Sequence, residues 1–203
     1  MPRLLLASTS PRRRDLLTEA GFEHDVIDAG VDDSDLMPTG LSARHWAMAL
    51  AYFKAAGGLQ QAGSIMELKQ TPFIVLGADT VCVHCDDTGH ETLFGKPEDE
   101  ADAGRMIRAM RNNSHEVVTG VALLCAQTRR RQLYAETCVV RVGDITDEQI
   151  DGYLATGEWR GKAGGYNLRE RIDEGWPITV DGDPTSVMGL PIESLRRQLA
   201  SFG

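Results

Sequence analysis

Serine and arginine side chains crowd a short segment near the beginning of the chain. The apolar run Leu4–Ala7 leads into Ser8–Pro11, and Arg12–Arg14 follow directly. Ser10 before a proline is typical of a helix N-terminus, where unpaired N–H groups and the helix dipole favour anions. Arginine forks suit phosphate oxygens. The segment therefore predicts a phosphate-binding helix start, and a solvated basic first turn is the alternative.

A carboxylate stands inside an apolar run further along the chain. Asp79 lies within Phe73–Val83, directly after the small residues Gly77 and Ala78. Desolvation destabilises a charged carboxylate unless a cation or hydrogen-bond donor pairs with it. Asp79 is therefore a candidate to activate water or to hold Mg²⁺ beside a phosphate. The alternative is a structural aspartate that accepts hydrogen bonds from turn amides.

Four further charged residues stand at the ends of predicted elements: Lys54, Lys96, Glu158 and Lys162. Each alone is expected to be solvated, but together they suit the rim of an anion pocket. Lys54 lies close to the apolar stripe of its helix, so we expect its ammonium group to reach inward.

Cysteine and histidine spacing allows a competing interpretation. Cys82 and Cys85, with His84 between them and His90 nearby, invite a zinc interpretation, but one C-x-x-C is insufficient because a structural zinc site usually takes four ligands from two separated pairs. Strand alternation directs the two cysteines to opposite faces, which favours ordinary strand residues over a zinc-linked redox module. His115 is a candidate catalytic histidine or a satisfied turn residue.

Composition limits the classes of partner. The 203 residues are 42% hydrophobic and 25% charged, which predicts one folded domain over residues 1–203. The alternative is a domain made of two lobes around one cleft. The net charge of −9 argues against duplex nucleic acid and anionic membranes as partners. Four cysteines without a signal-like segment predict a cytoplasmic protein with reduced thiols.

Alternating strand and helix patterns predict an α/β fold with a mixed sheet. We expect Gly57-Gly58 to follow the end of the second helix, and Gly77–Asp79 to interrupt the third strand. Trp46, Leu50 and Phe53 should form the apolar stripe of the second helix. The predicted strands cover residues 4–7, 22–27, 73–85, 91–94, 115–125 and 133–142, and the predicted helices cover 11–20, 42–54, 97–111, 146–156 and 192–200.

Six blocks occur in a fixed order: LLLASTSPRRRDLL (4–17), VLGADTVCV (75–83), GKP (95–97), SHEVVTGVAL (114–123), YLATGEWRGKAGGY (153–166) and VMGLP (187–191). Through them the chain resembles the Maf family of nucleoside triphosphate pyrophosphatases over nearly its whole length. The resemblance implies a mixed central β-sheet flanked by helices around a deep nucleotide cleft, similar to the inosine triphosphatase fold. It also implies a homodimer, a divalent cation (Mg²⁺ or Mn²⁺), and hydrolysis of a nucleoside triphosphate to the monophosphate and diphosphate.

The resemblance also implies roles for individual residues. Asp79 matches the proton acceptor, and with Asp33 it matches the metal-binding carboxylates. The remaining substrate-binding positions correspond to Ser8, Ser10, Arg12, Arg13, Lys54, Lys96, Glu158 and Lys162.

Substrate choice rests on three positions. Arg12 and Thr80 match the residues of the subgroup that hydrolyses dTTP and UTP, so the resemblance implies a pyrimidine or modified pyrimidine substrate. Arg169 replaces that subgroup's glutamine, and residues 170–183 depart from its pattern. A 7-methyl-GTP pyrophosphatase and a nucleotide-binding regulator of septum formation without turnover are the alternatives.

Overall fold

The computed structural model describes residues 3–31, 36, 40–64, 72–85, 88, 90–125 and 127–202. The strands are β1 (Arg3–Ala7), β2 (His24–Ile27), β3 (Phe73–Cys85), β4 (Glu91–Phe94), β5 (Asn113–Cys125), β6 (Arg131–Val142) and β7 (Ile178–Asp181). The helices are α1 (Pro11–Glu19), α2 (Ala43–Ser64), α3 (Glu100–Met110), α4 (Asp147–Thr156), α5 (Leu168–Asp173), α6 (Pro184–Val187) and α7 (Ile192–Phe202), with a short 3₁₀ turn at Ala163–Gly165.

The strands form one mixed sheet, which confirms the predicted fold class. Its order is β2-β1-β3-β5-β6-β7, and β4 pairs with β3 beside this path. Strand β1 pairs in parallel with both β2 and β3. The β3–β4 and β6–β7 pairs are antiparallel. Strands β3 and β4 are consecutive in the chain, whereas α4 and α5 lie between β6 and β7.

The chain divides into two compact units. The first comprises Met1–Asp79, Thr119–Glu136 and Gly189–Gly203, and the second comprises Thr80–Val118 and Thr137–Met188. Each has its own apolar core. The first core includes Leu5, Ala7, Ala51, Ala55, Val75 and Ala122. The second includes Met106, Ile107, Val140, Ile150, Tyr153 and Trp176. That the chain is a single domain stays a prediction.

Helix α2 does not end before Gly57-Gly58, as the sequence predicted, but continues through both glycines to Ser64. A Cβ atom at Gly57 would lie 2.2 Å from the carbonyl oxygen of Ala29, and one at Gly58 would lie 2.5 Å from Cβ of Ala7. These glycines let the helix approach β1 and the segment after β2. Their role is close packing inside a helix, which overrides their weak helix propensity.

Strand β3 is likewise continuous through Gly77–Asp79, where an interruption was predicted. A Cβ atom at Gly77 would lie 2.2 Å from the carbonyl oxygen of Ala51 in α2. The missing side chain therefore lets the helix lie against an unbroken strand. Phe53, expected on the inner stripe of α2, is 45% exposed instead.

Replacing Gly57 with alanine should destabilise the protein by about 3 kcal/mol, because the added methyl group overlaps a backbone oxygen that cannot move aside. Gly63 is the matched control in the same helix, since a Cβ atom there meets nothing within 4 Å. Gly63→Ala should stabilise by about 0.5 kcal/mol through better helix propensity. Urea unfolding measures both, and shifts of the same sign would contradict this account.

The helix ends follow local rules where the sequence signals them. Thr146 and Gln149 form a capping box at the start of α4, and the helix ends before Gly157, which lies in the left-handed region. Helix α3 starts three residues later than predicted, after Asp99, whose side chain accepts a hydrogen bond from the Asp102 N–H. Helix α5 and strand β7 were not predicted. Within the described ranges, no helix is long and apolar enough to cross a membrane.

Candidate functional site

The basic start of α1 follows the strand β1 directly. Ser10 is the N-cap residue, yet its side chain makes no capping hydrogen bond within the described part of the chain. The Ser8 hydroxyl instead accepts from the Ser10 N–H at 3.2 Å and lies 3.5 Å from Nη1 of Arg13. The Ser10 hydroxyl thus does not cap the helix, and the positive end of the helix dipole suits an external anion here.

Arg13 is anchored by a contact that the sequence does not reveal. Its Nε donates to the carbonyl oxygen of Gly189 at 2.9 Å, within the same compact unit. Together with the Ser8 contact, this bond holds the guanidinium group beside the helix start. Gly189 belongs to the VMGLP block, so two predicted motifs meet at this arginine.

Lys54 and Asp79 form an ion pair through Nζ and Oδ1. Their side chains are only 19% and 12% exposed, respectively. The expectation that Lys54 reaches inward is confirmed. A largely buried carboxylate with an adjacent ammonium group satisfies the requirement that a buried charge be paired.

The sheet register places the basic start of α1 next to the Lys54–Asp79 pair. Leu6 of β1 is level with Leu76 of β3, so the turn after Ala7 begins beside Ala78 and Asp79. The chain leaves β1 for β2 on one side and later returns as β3 on the other side. In open α/β sheets, ligands bind outside the carboxyl ends of strands at such a reversal of strand order.

The second unit gathers the remaining predicted lysines. The Gly164 N–H donates to the Gly95 carbonyl oxygen at 3.0 Å, which joins the segment carrying Lys96 to the glycine-rich turn carrying Lys162. Lys96 is exposed, whereas Lys162 pairs with Glu170 of α5. Gly164 and Gly165 both have positive φ, which explains the paired glycines in this turn.

Glu158 is held by a residue that sequence reasoning missed. Nη2 of Arg171 donates to Oε2 of Glu158 at 2.9 Å, and Arg171 itself is only 2% exposed. Arginine is rarely so deeply buried, so composition predicts an exposed side chain. The spacing of Arg171 and Glu174 was the one available signal, because residues three apart on a helix can pair.

The described residues of the cysteine–histidine segment are not arranged as a zinc site. Cys82 is buried and Cys85 is exposed, as strand alternation predicted. Burial raises the pKa of the Cys82 thiol to about 12, which disfavours the thiolate that a metal or redox site needs. Among the described residues, no group of three His, Cys, Asp or Glu side chains is placed to hold a metal ion.

His115 is a buried neutral histidine in the second unit. Its Nε2 lies 3.1 Å from the Tyr166 hydroxyl, and its Nδ1 has no hydrogen-bond partner among the described residues. Burial, with a smaller effect from His84, lowers the pKa of His115 from 6.5 to about 4. The imidazole ring of His115 is therefore uncharged in the folded protein near neutral pH.

The free energy of unfolding should fall as the pH drops from about 6.5 to about 4, because the unfolded chain then binds a proton that folded His115 does not. This histidine accounts for about 3 kcal/mol of that fall. His115→Gln should show a correspondingly smaller fall in urea unfolding, whereas the exposed control His90→Gln should follow the wild type. An unchanged pH dependence in His115→Gln would refute this assignment.

Three further predicted residues, Arg12, Thr80 and Arg169, lie on α1, β3 and α5. Arg12 is half-buried in the first turn of α1, and Thr80 follows Asp79 on β3. Arg169 is exposed in α5, and its N–H donates to the Asn167 side chain at 3.0 Å. Asp33 lies outside the described residues.

Fold and site together define an α/β protein with a basic helix start and a lysine–aspartate pair at the switch point of its sheet. The chain belongs to the family of Maf-like proteins, whose model matches residues 3–202.

Curated relatives match the chain over its full length. The dTTP/UTP pyrophosphatase of Pelotomaculum thermopropionicum is 36% identical over 203 residues, covering 100% of this chain and 98% of the relative. Proteins of the same name from Bdellovibrio bacteriovorus and Bacillus thuringiensis are 34% and 35% identical, covering at least 99% of this chain and 99% and 96% of their own lengths. The Staphylococcus aureus Ham1 structure aligns over 70% of this chain and 72% of its own, at 12% identity and a TM-score of 0.38, too low to support a conclusion.

Proposed function

We propose that this protein is a nucleoside triphosphate pyrophosphatase that hydrolyses its substrate to the monophosphate and diphosphate. The observation that carries the proposal is the pairing of β1 with β3, which brings the basic start of α1 next to the Lys54–Asp79 pair. Full-length relatives named dTTP/UTP pyrophosphatase support this activity.

The triphosphate binds at the start of α1. The Ser8 hydroxyl and the Arg12 and Arg13 guanidinium groups bind its oxygens, the helix dipole favours its negative charge, and Ser10 shapes the turn. Lys54, Lys96 and Lys162 add positive charge for the phosphates, while Glu158 binds a hydrogen-bond donor of the substrate. The start of α1 and Lys54 give the first unit a local excess of positive charge in a chain whose net charge is −9.

Asp79 accepts a proton from the attacking water. The water oxygen forms a bond to the α-phosphorus, the bond from that phosphorus to the bridging oxygen breaks, and diphosphate leaves. Lys54 orients the Asp79 carboxylate and stabilises negative charge as it develops. Preorganised charges that need not move during the reaction supply much of the rate increase.

A divalent cation fits this site as a partner of substrate phosphates rather than as a tightly caged ion. Mg²⁺ commonly binds through one or two carboxylates, water and phosphate oxygens. Asp79 supplies one carboxylate at the proposed site, and Asp33 is the second ligand that the sequence suggests. When bound, the cation would neutralise phosphate charge during the displacement.

The proposed substrates are dTTP, UTP or modified pyrimidine nucleotides. Arg12 and Thr80 carry this preference, and the relatives' names agree with it. Arg169, exposed on α5, is the position at which base preference should be tested.

A panel of common and modified nucleoside triphosphates with Mg²⁺ or Mn²⁺ tests the proposal. We expect diphosphate release, fastest with dTTP or UTP. Orthophosphate release would indicate another hydrolase, and preference for 7-methyl-GTP would select the other subgroup. Nucleotide binding without any product would support a regulator and contradict the enzyme.

A further inference from the structure

Arg171 carries a buried positive charge that is paired with the carboxylate of Glu174. Its Nη1 and Nη2 each donate to one carboxylate oxygen of Glu174, both at 2.7 Å. This two-bond pair neutralises the guanidinium group and satisfies its preferred fork geometry. The additional contact to Glu158 is therefore not needed to compensate the buried charge.

Two aromatic rings fix the plane of the guanidinium group. Its central carbon lies 4.1 Å from the centre of the Tyr153 ring and 5.5 Å from that of Trp176. The Tyr153 hydroxyl donates to the Gly165 carbonyl oxygen at 2.9 Å, which ties this ring to the glycine-rich turn. Of the three N–H groups that Glu174 leaves, one on Nη2 is directed at Glu158, whereas the buried Nε has no hydrogen-bond partner among the described residues.

Glu158 receives that N–H although its side chain is 49% exposed. Its own N–H donates to the Thr156 hydroxyl at 3.1 Å, and that hydroxyl donates to the Tyr153 carbonyl oxygen at 2.7 Å. Backbone and carboxylate are thus both held just beyond the end of α4. Exposed glutamates usually sample many rotamers, so this one is preorganised.

We propose that Arg171 is a positioning residue that orients the Glu158 carboxylate toward substrate. This rests on the proposed function, in which Glu158 binds the nucleotide. Arg171 acts through Glu158 and does not touch the substrate.

The test compares diphosphate release by four proteins besides the wild type: Arg171→Lys, Glu158→Gln, their double variant, and Glu174→Gln as the matched control. Lysine keeps the charge but cannot form the fork to two carboxylates. We expect Arg171→Lys to lower kcat/KM by about tenfold, the usual scale for an orienting partner. Glu174→Gln should lower the melting temperature at least as much, yet keep kcat/KM within about twofold, because the Glu158 contact remains.

The double variant separates positioning from mere stability. If Arg171 acts through Glu158, adding Arg171→Lys to Glu158→Gln should change kcat/KM by less than about twofold. Full additivity, or activity losses in Arg171→Lys and Glu174→Gln that simply follow melting temperature, would overturn the proposal. Wild-type activity in Glu158→Gln would overturn it as well.

If the proposed function is wrong, the result differs from the one expected when only the positioning role of Arg171 is wrong. A wild-type protein that releases no diphosphate from any nucleoside triphosphate lacks that function, whatever Arg171 does. The same proteins are therefore also titrated with a non-hydrolysable α,β-imido-dTTP. Weaker binding in Arg171→Lys but not in Glu174→Gln would support the positioning role, and equal binding in all variants would refute it.

Discussion

Asp79→Asn should lower kcat by about 10³-fold, the scale on which a positioned general base contributes. Asparagine has nearly the same shape but cannot accept the proton of the attacking water. Substrate affinity should change little, because the cationic groups that bind the phosphates remain. Diphosphate release under saturating substrate measures kcat, and titration with a non-hydrolysable analogue measures binding.

Asp25→Asn is the matched control for this variant. Asp25 is a carboxylate of β2 in the same unit, paired with Arg3 and with a side chain that is 42% exposed. It should retain wild-type kcat, which shows that loss of an aspartate charge in this sheet is not itself harmful. Near-normal turnover in Asp79→Asn would remove Asp79 as the base.

Lys54→Met should have the second-largest effect, because it removes both an ammonium group and the partner of a buried carboxylate. Leaving one member of a buried ion pair alone destabilises a protein by about 3 kcal/mol. We expect kcat to fall by about 10²-fold as well, since a preorganised charge at the reacting group is lost. Urea unfolding and diphosphate release measure the two effects.

Combining the two substitutions tests whether the pair is coupled. Lys54→Met together with Asp79→Asn should be more stable than Lys54→Met alone, because the unpaired buried charge is gone. Additive losses of stability would mean that the ion pair contributes nothing in solution. Activity should stay at the level of Asp79→Asn, since without the base Lys54 has less to contribute.

Local sequence rules predicted those features that depend on neighbours along the chain. Pro11 after Ser10 marks the start of α1, and the Thr146–Gln149 capping box marks that of α4. Such signals lie within a few residues, so tertiary contacts rarely reverse them. Asp79 was identifiable because a carboxylate in an apolar strand needs a partner.

Tertiary structure decided the features that depend on contacts between distant segments. Gly57 and Gly77 resemble chain breakers in sequence, but each leaves space for backbone from another element. The partner of Asp79 lies 25 residues away, on α2. Arg171 is buried only because Tyr153, Trp176 and two glutamates converge on it, which no local pattern encodes.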